Sequence, residues 1–386
     1  MIKESSTKIM RDGLMKCDFG RVVFALPGDL HWQVLEGPVF WDEKDTEKAG
    51  RLEGFLGNKS LHKQQFVFRE FAENGALGCI EGDLWRCNQL DDLKQNSWFQ
   101  IAKIESLKKE IEEKEVLGYG EIDEGKQHSL FTTWVAQVKS EIALGNFSKI
   151  VAARKEKLSV MYENVDVLST LEDLRMQFAN ALVFALQLGD EAIWIGCTPE
   201  KLMVLEKGLA HVHALAGTIT KDQEHSWTSK EEQEQQVTHD FVGSILKQND
   251  VVDFHSTAVQ EVSMGDIKHL ATEYVFSLSY GDVAHWIEQL HPTPAVGGWP
   301  QKEAWRWLNE CEVLDRKFYA GWLGLLNPDV QEAHMFVTLR CAEISKEGVF
   351  LYAGGGINNA SDPETEWKET AAKMNVIKGS LRYWED

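Results

Sequence analysis

The chain has 386 residues, 43% of them hydrophobic, which is enough for one large domain or two ordinary ones around a packed core. A formal net charge of -21 argues against nucleic acid as a partner, because no segment supplies the basic patch that a phosphate backbone needs. The six cysteines form no C-x-x-C pair and no apolar run approaches membrane-spanning length, so a cytoplasmic protein is expected, with no zinc site, no disulfide framework and no membrane partner.

Residues 1–125 carry short alternating runs at 21–26 and 65–69 and a charged helical pattern near 104–115. They predict a β-rich N-terminal region packed onto the same fold, with the acidic, glycine-bearing stretch 116–126 as linker. The catalytic domain is expected at 126–386. There the pattern predicts helices at 130–144 and 167–178, with strands at 149–154, 182–188, 192–197, 209–218, 259–264, 336–339 and 348–353. Strands outnumber those of a strict βαβ alternation, and no G-x-G-x-x-G follows an early strand. The expected class is therefore α+β, with large, mostly antiparallel β-sheets flanked by helices.

Several side chains along this domain have the makings of a site. Lys149 opens an apolar strand, where desolvation favours a general base, although a strand-end lysine reaching for solvent fits the same position. Glu200 follows Thr198-Pro199 at a strand end; shielded from water it would be a general acid, and exposed it is a turn residue. Residues 229–242 read as an amphipathic helix with Glu231 and Glu234 on a common side. The loop 290–300, with three prolines and two glycines, has the stiffness of a pocket wall. Arg340 closes an apolar strand and needs an anion, either a substrate carboxylate or an acidic residue of the chain.

The C-terminal segment is the richest. An apolar strand runs into Gly354, Gly355 and Gly356, whose bare amides can approach an anion. Pro363 then suits the first turn of a helix on which Glu366, Glu369 and Lys373 share one face. Two acidic pairs at equal spacing form either solvated surface runs or, brought together, hard oxygen ligands for magnesium. A bound dication would also explain how so acidic a protein admits an anionic substrate.

In order along the chain, Lys149, Thr198-Pro199-Glu200, Leu215-Ala216-Gly217-Thr218, His269-Leu270, the loop 291–298, Tyr319-Ala320-Gly321, Leu339-Arg340 and the glycine segment leading into Glu366-Trp367-Lys368-Glu369-Thr370 form a specific combination. Over residues 128–384 it resembles the chorismate-utilising enzymes, a family that includes isochorismate, salicylate, anthranilate and aminodeoxychorismate synthases. The resemblance implies Glu234 and Glu369 as Mg2+ ligands, with Glu231 and Glu366 beside them, and chorismate as the small-molecule substrate. It implies that Arg340 and the amides of Gly354 to Gly356 take the enolpyruvyl carboxylate, while Thr218, His269, Tyr319 and Lys373 line the pocket. Lys149 resembles the base that activates water, and Glu200 the acid that protonates the departing hydroxyl. Ammonia-using members have glutamine in place of that lysine, and Ala216 stands where aminodeoxychorismate synthases carry a ring-attacking lysine. The resemblance thus favours isochorismate synthase, an isomerase serving menaquinone or siderophore synthesis, with no amidotransferase subunit. Salicylate synthase shares these motifs, and a non-catalytic chorismate-binding protein is a further alternative. The chain departs from the family pattern at Ile219-Thr220-Lys221, Gln235 and Trp322.

Overall fold

The computed structural model describes residues 19–41, 63–72, 77–87, 90, 93, 124–189, 192–220, 227–264 and 267–384. The helical pattern near 104–115 and residues 116–123 of the expected linker lie outside them. Residues 124–126 already belong to a helix, α1 (Glu124–Ala143).

The strands form two antiparallel sheets. The first has the order β5 (Trp85–Cys87), β2 (Trp32–Trp41), β1 (Phe19–Ala25), β7 (Leu182–Leu188), β8 (Ala192–Thr198), β17 (Cys341–Ser345), β18 (Gly348–Ile357), β6 (Lys149–Leu158), β14 (Gly298–Trp299). In the second, β11 (Phe254–Ser256) and β12 (Gln260–Met264) both pair with β13 (Ile267–Ser277). It continues through β10 (Leu209–Thr220), β9 (Lys201–Glu206), β16 (Glu332–Val337), β15 (Trp322–Asn327), β3 (Gln64–Arg69) and β4 (Leu77–Gly82), which returns to β2. This is the expected α+β class, with its helices packed on the sheets.

The alternation of side chains along β1 shows how the layers are held. Val22 and Phe24 point into the core between the sheets, where Phe66, Phe184 and Phe336 meet them. Val23 and Ala25 point the other way, into a second core under α2 (Val167–Gln177) and α6 (Pro363–Lys378). Burying each such phenylalanine stabilises the fold by about 1.5–3 kcal/mol. The other α-helices among the described residues are α3 (Ser229–Gln248), α4 (Val283–Leu290) and α5 (Gln301–Cys311). None of the described helices is long and apolar enough to cross a membrane.

Two helix starts set up the site. Asp362 caps α6 by accepting from the Thr365 amide, with Pro363 in the first turn. Thr228 and Glu231 form a capping box at the start of α3. The glycine segment differs from expectation: it does not leave the sheet, because Gly354, Gly355 and Gly356 stay paired with Ala153, Ala152 and Val151 of β6. What the missing Cβ atoms provide is room for side chains from α3, α6 and β6 to reach the strand face.

Candidate active site

α6 lies on β18 of the first sheet and α3 on β10 of the second, and their acidic turns converge from these two directions. The fully buried Glu366, with Thr370, Lys373 and Ile377, forms the inward stripe of α6. On α3 the inward stripe is Glu234, Gln235, Thr238 and Phe241. Gln235 fixes this helix to the sheet by donating to Ala214 O at 3.0 Å and to Thr272 Oγ1 at 3.3 Å.

A cavity between these elements is lined by Lys149, Glu200, Ala216, Glu234, His269, Tyr319, Arg340, Gly354, Gly356 and Lys373. Glu366 and Glu369 are not among its lining residues but are tied to them through ion pairs, Glu369 to Lys373 and Glu366 through Lys230 to Glu234. Glu231 is not part of the carboxylate cluster. Its Oε2 accepts from the Thr228 amide at 3.0 Å and from the Thr228 hydroxyl at 2.5 Å, so the spacing that suggested a ligand serves the helix cap. Thr218 belongs to β10, and its side chain lies outside the described residues.

Three carboxylates and three ammonium groups interleave here. Lys149 Nζ lies 3.2 Å from Glu234 Oε2, Lys373 Nζ 2.6 Å from Glu369 Oε1, and Lys230 Nζ 2.7 Å from Glu366 Oε1. Lys230 also reaches Glu369 Oε2 at 3.5 Å and Glu234 Oε1 at 3.9 Å. Burial and the charge of Glu369 push the Glu366 carboxyl above its usual range. Burial acts on Glu369 in the same sense, but Lys373 and Lys230 outweigh it and hold that group low.

Among the described residues no three His, Cys, Asp or Glu surround a common point in ligand geometry. The lysine contacts account for this, since each carboxylate is turned toward an ammonium. The donor set still suits a hard dication: Glu234, Glu366 and Glu369 are carboxylates with little exposure, and Glu366 Oε2 is buried without a hydrogen-bond partner.

Glu200 and Arg340 line the same cavity. Glu200 is 4% exposed at the β8–β9 corner, where Thr198 Oγ1 donates to Val337 O and accepts from the Glu200 amide. Burial raises its carboxyl to about 7, against the lowering influence of the Thr293 hydroxyl at 3.3 Å and of Arg340, Lys149 and Lys373. The loop 291–298 that presents Thr293 is pinned by Arg316, which donates to Val296 O at 2.8 Å and Val151 O at 2.7 Å.

Arg340 sits between β16 and β17 rather than inside a strand, with φ at +44°, a backbone conformation costly for a residue with a side chain. His269 Nδ1 lies 2.9 Å from Gly217 O, which can only accept, so Nδ1 carries the proton and Nε2 accepts from Arg340 Nη2 at 3.3 Å. Burial and Arg340 depress His269 to about 3, in keeping with this neutral tautomer. The carbonyl that fixes it comes from a bulge in β10, where Gly217 has φ +70° and the register to β13 shifts. Among the described residues no carboxylate pairs with Arg340, and its Nε is buried without a partner. Of the two anions the sequence left open, an acidic residue of the chain is thus missing from the described residues.

With this geometry in place, comparison with known proteins adds the lineage. Residues 83–382 match the family model described as chorismate binding enzyme. The chain belongs to the chorismate binding enzyme family. A salicylate biosynthesis isochorismate synthase of Pseudomonas aeruginosa is 30% identical over 262 residues, covering 64% of this chain and 54% of that protein. The isochorismate synthase MenF of Haemophilus influenzae is 30% identical over 253 residues, covering 62% of this chain and 57% of that protein. The matches thus span just over half the length of these relatives. Solved structures of different names share the fold: the menaquinone-specific isochorismate synthase MenF of Escherichia coli superimposes with a TM-score of 0.68 at 21% identity, over 94% of this chain and 89% of that one. Anthranilate synthase component I of Streptococcus pneumoniae does so with 0.63 at 14% identity, over 97% and 95%.

Two residues of the site escaped the motif reading. Thr293 was read only as part of a pocket wall. Lys230 stands four residues before Glu234, a helical spacing that signals an ion pair but not that α6 would supply two more carboxylates.

Proposed function

We propose that the chain is a magnesium-dependent isochorismate synthase, an isomerase that converts chorismate to isochorismate by adding water at C2 with loss of the C4 hydroxyl. The observation that carries this reading is that Lys149 and Glu200 open on one cavity, which Ala216 lines without a nucleophile of its own. The Arg340 guanidinium, faced by no carboxylate among the described residues and with its Nε buried without a hydrogen-bond partner, supports a carboxylate substrate, since a bidentate partner would satisfy that Nε.

Glu234, Glu366 and Glu369 would hold the cation, which when bound supplies a hard positive charge for the ring carboxylate. Arg340, oriented by neutral His269, takes the second carboxylate. Lys149, as the base, takes a proton from water as the oxygen bonds to C2, the ring electrons shift, and the C4–O bond breaks. Glu200 in its acid form gives its proton to the departing oxygen, which leaves as water. One water enters and one leaves, and return of a proton from Lys149 to Glu200 resets the pair.

The test is incubation of purified protein with chorismate and magnesium, without ammonia, and separation of the products by chromatography. Isochorismate is expected. No turnover, or turnover only with ammonia, rejects the reading, and accumulation of salicylate with pyruvate reassigns it to a synthase that goes on to eliminate.

A further inference from the structure

Lys230 is the most exposed of the three ammonium groups of the cluster. Lys373 also donates to Gly354 O at 2.9 Å, and Lys149 is 3% exposed beneath the glycine strand. The Lys230 side chain keeps 16% of its exposure at the open end of α3, and its only polar partners among the described residues are Glu366, Glu369 and Glu234. Those three carboxylates are the proposed cation ligands.

We propose that Lys230 is a built-in, displaceable counter-ion: its ammonium holds the three carboxylates together while no dication is bound, and must swing toward solvent to admit one. The physical argument is charge balance. Three carboxylates of one sign cannot remain this close with little water unless cations face them, and the chain supplies three ammonium groups for three carboxylates. A dication added to that balanced set leaves an excess of two positive charges. Departure of the least buried ammonium relieves part of it, and a substrate with two carboxylates relieves the rest. Lys230 thus preorganises the ligands and lowers the cation affinity of the substrate-free protein, so that cation and anionic substrate favour each other's binding. The inference rests on the magnesium reading above.

Binding of magnesium to the full chain is measured by calorimetry, with thermal unfolding recorded with and without the metal, for the natural protein, Lys230→Met and Lys230→Arg. Lys230→Met is expected to bind magnesium about tenfold more tightly or better, because a competing charge within ion-pair distance is gone. Its metal-free form should unfold at a lower temperature and its metal-saturated form near the natural value, while Lys230→Arg should keep the natural affinity. Equal or weaker binding by Lys230→Met overturns the role of Lys230 and leaves the metal site standing. Absence of binding in all three proteins overturns the metal site, and this inference with it.

Discussion

Lys149 Nζ and Glu234 Oε2 stand 3.2 Å apart, so the proposed base and a proposed cation ligand share one ion pair although one comes from strand β6 of the first sheet and the other from helix α3 packed on the second. Replacing the proposed base and replacing a proposed cation ligand therefore test different halves of the site. Lys149→Ala should lower turnover about 10²- to 10⁴-fold while chorismate still binds in the presence of magnesium. Glu369→Ala should weaken binding of both metal and substrate. Calorimetry for binding, beside a product assay, separates the two. Near-normal turnover by Lys149→Ala would remove it as the base.

The pH dependence follows from Glu200. Its carboxyl is raised to about 7, so the acid form needed for protonation is present below that value and disappears as pH rises through it. The turnover rate should fall about tenfold per pH unit on the alkaline side. The bond from Thr293 favours the ionised form, so Thr293→Val should move this limb to higher pH. A limb that stays in place, or moves down, would mean that another group controls it.

Arg340 should act through binding. Arg340→Met removes the fork expected to meet a substrate carboxylate, and charged hydrogen bonds of about 1.5–3 kcal/mol translate to a KM raised about ten- to a hundredfold. Arg340→Lys should recover little, because one ammonium cannot reproduce a planar pair of donors. Steady-state kinetics in which kcat falls and KM does not change would contradict this.

Two added methyl groups discriminate between neighbouring parts of the site. In Gly355→Ala the new Cβ would come 2.7 Å from Glu366 Oε2, so magnesium affinity should drop. In Gly356→Ala it would come 2.6 Å from Lys149 Cε and 2.9 Å from Glu234 Oε2, so turnover and metal affinity should fall together. Each costs about 1–3 kcal/mol of stability by crowding, which thermal unfolding reads.

Much of this was legible in the chain. The pattern at 182–188 matches β7 as built, and the Asp362-Pro363 start of α6 was readable because capping and proline preferences are local. Strand β6 runs four residues beyond its predicted end: Lys155, Glu156 and Lys157 break the apolar run in sequence but pair with Tyr352, Leu351 and Phe350. β13 and β15 were missed, since tertiary pairing with β10, β12, β16 and β3 builds them more than any local signal does. For the site, motif order led to Lys149, Glu200 and Arg340. The capping role of Glu231 lies in the local Thr228-x-x-Glu231 spacing, whereas the cluster role of Lys230 depends on how α3 faces α6, a relation between residues more than 130 apart that periodicity cannot carry.

Strand β2 is hydrogen-bonded to β1 in one sheet through Pro38 and to β4 in the other from Val39 onward. The N-terminal strands therefore stitch the two layers: β1 covers the flank of β7, and β3 that of β15. Trimming the chain back to residue 124 would strip both flanks and leave two long rows of amide and carbonyl groups facing water, a template for chain-to-chain association. A shortened protein of that kind should precipitate or form large particles in light scattering, even though every residue proposed for chemistry is retained.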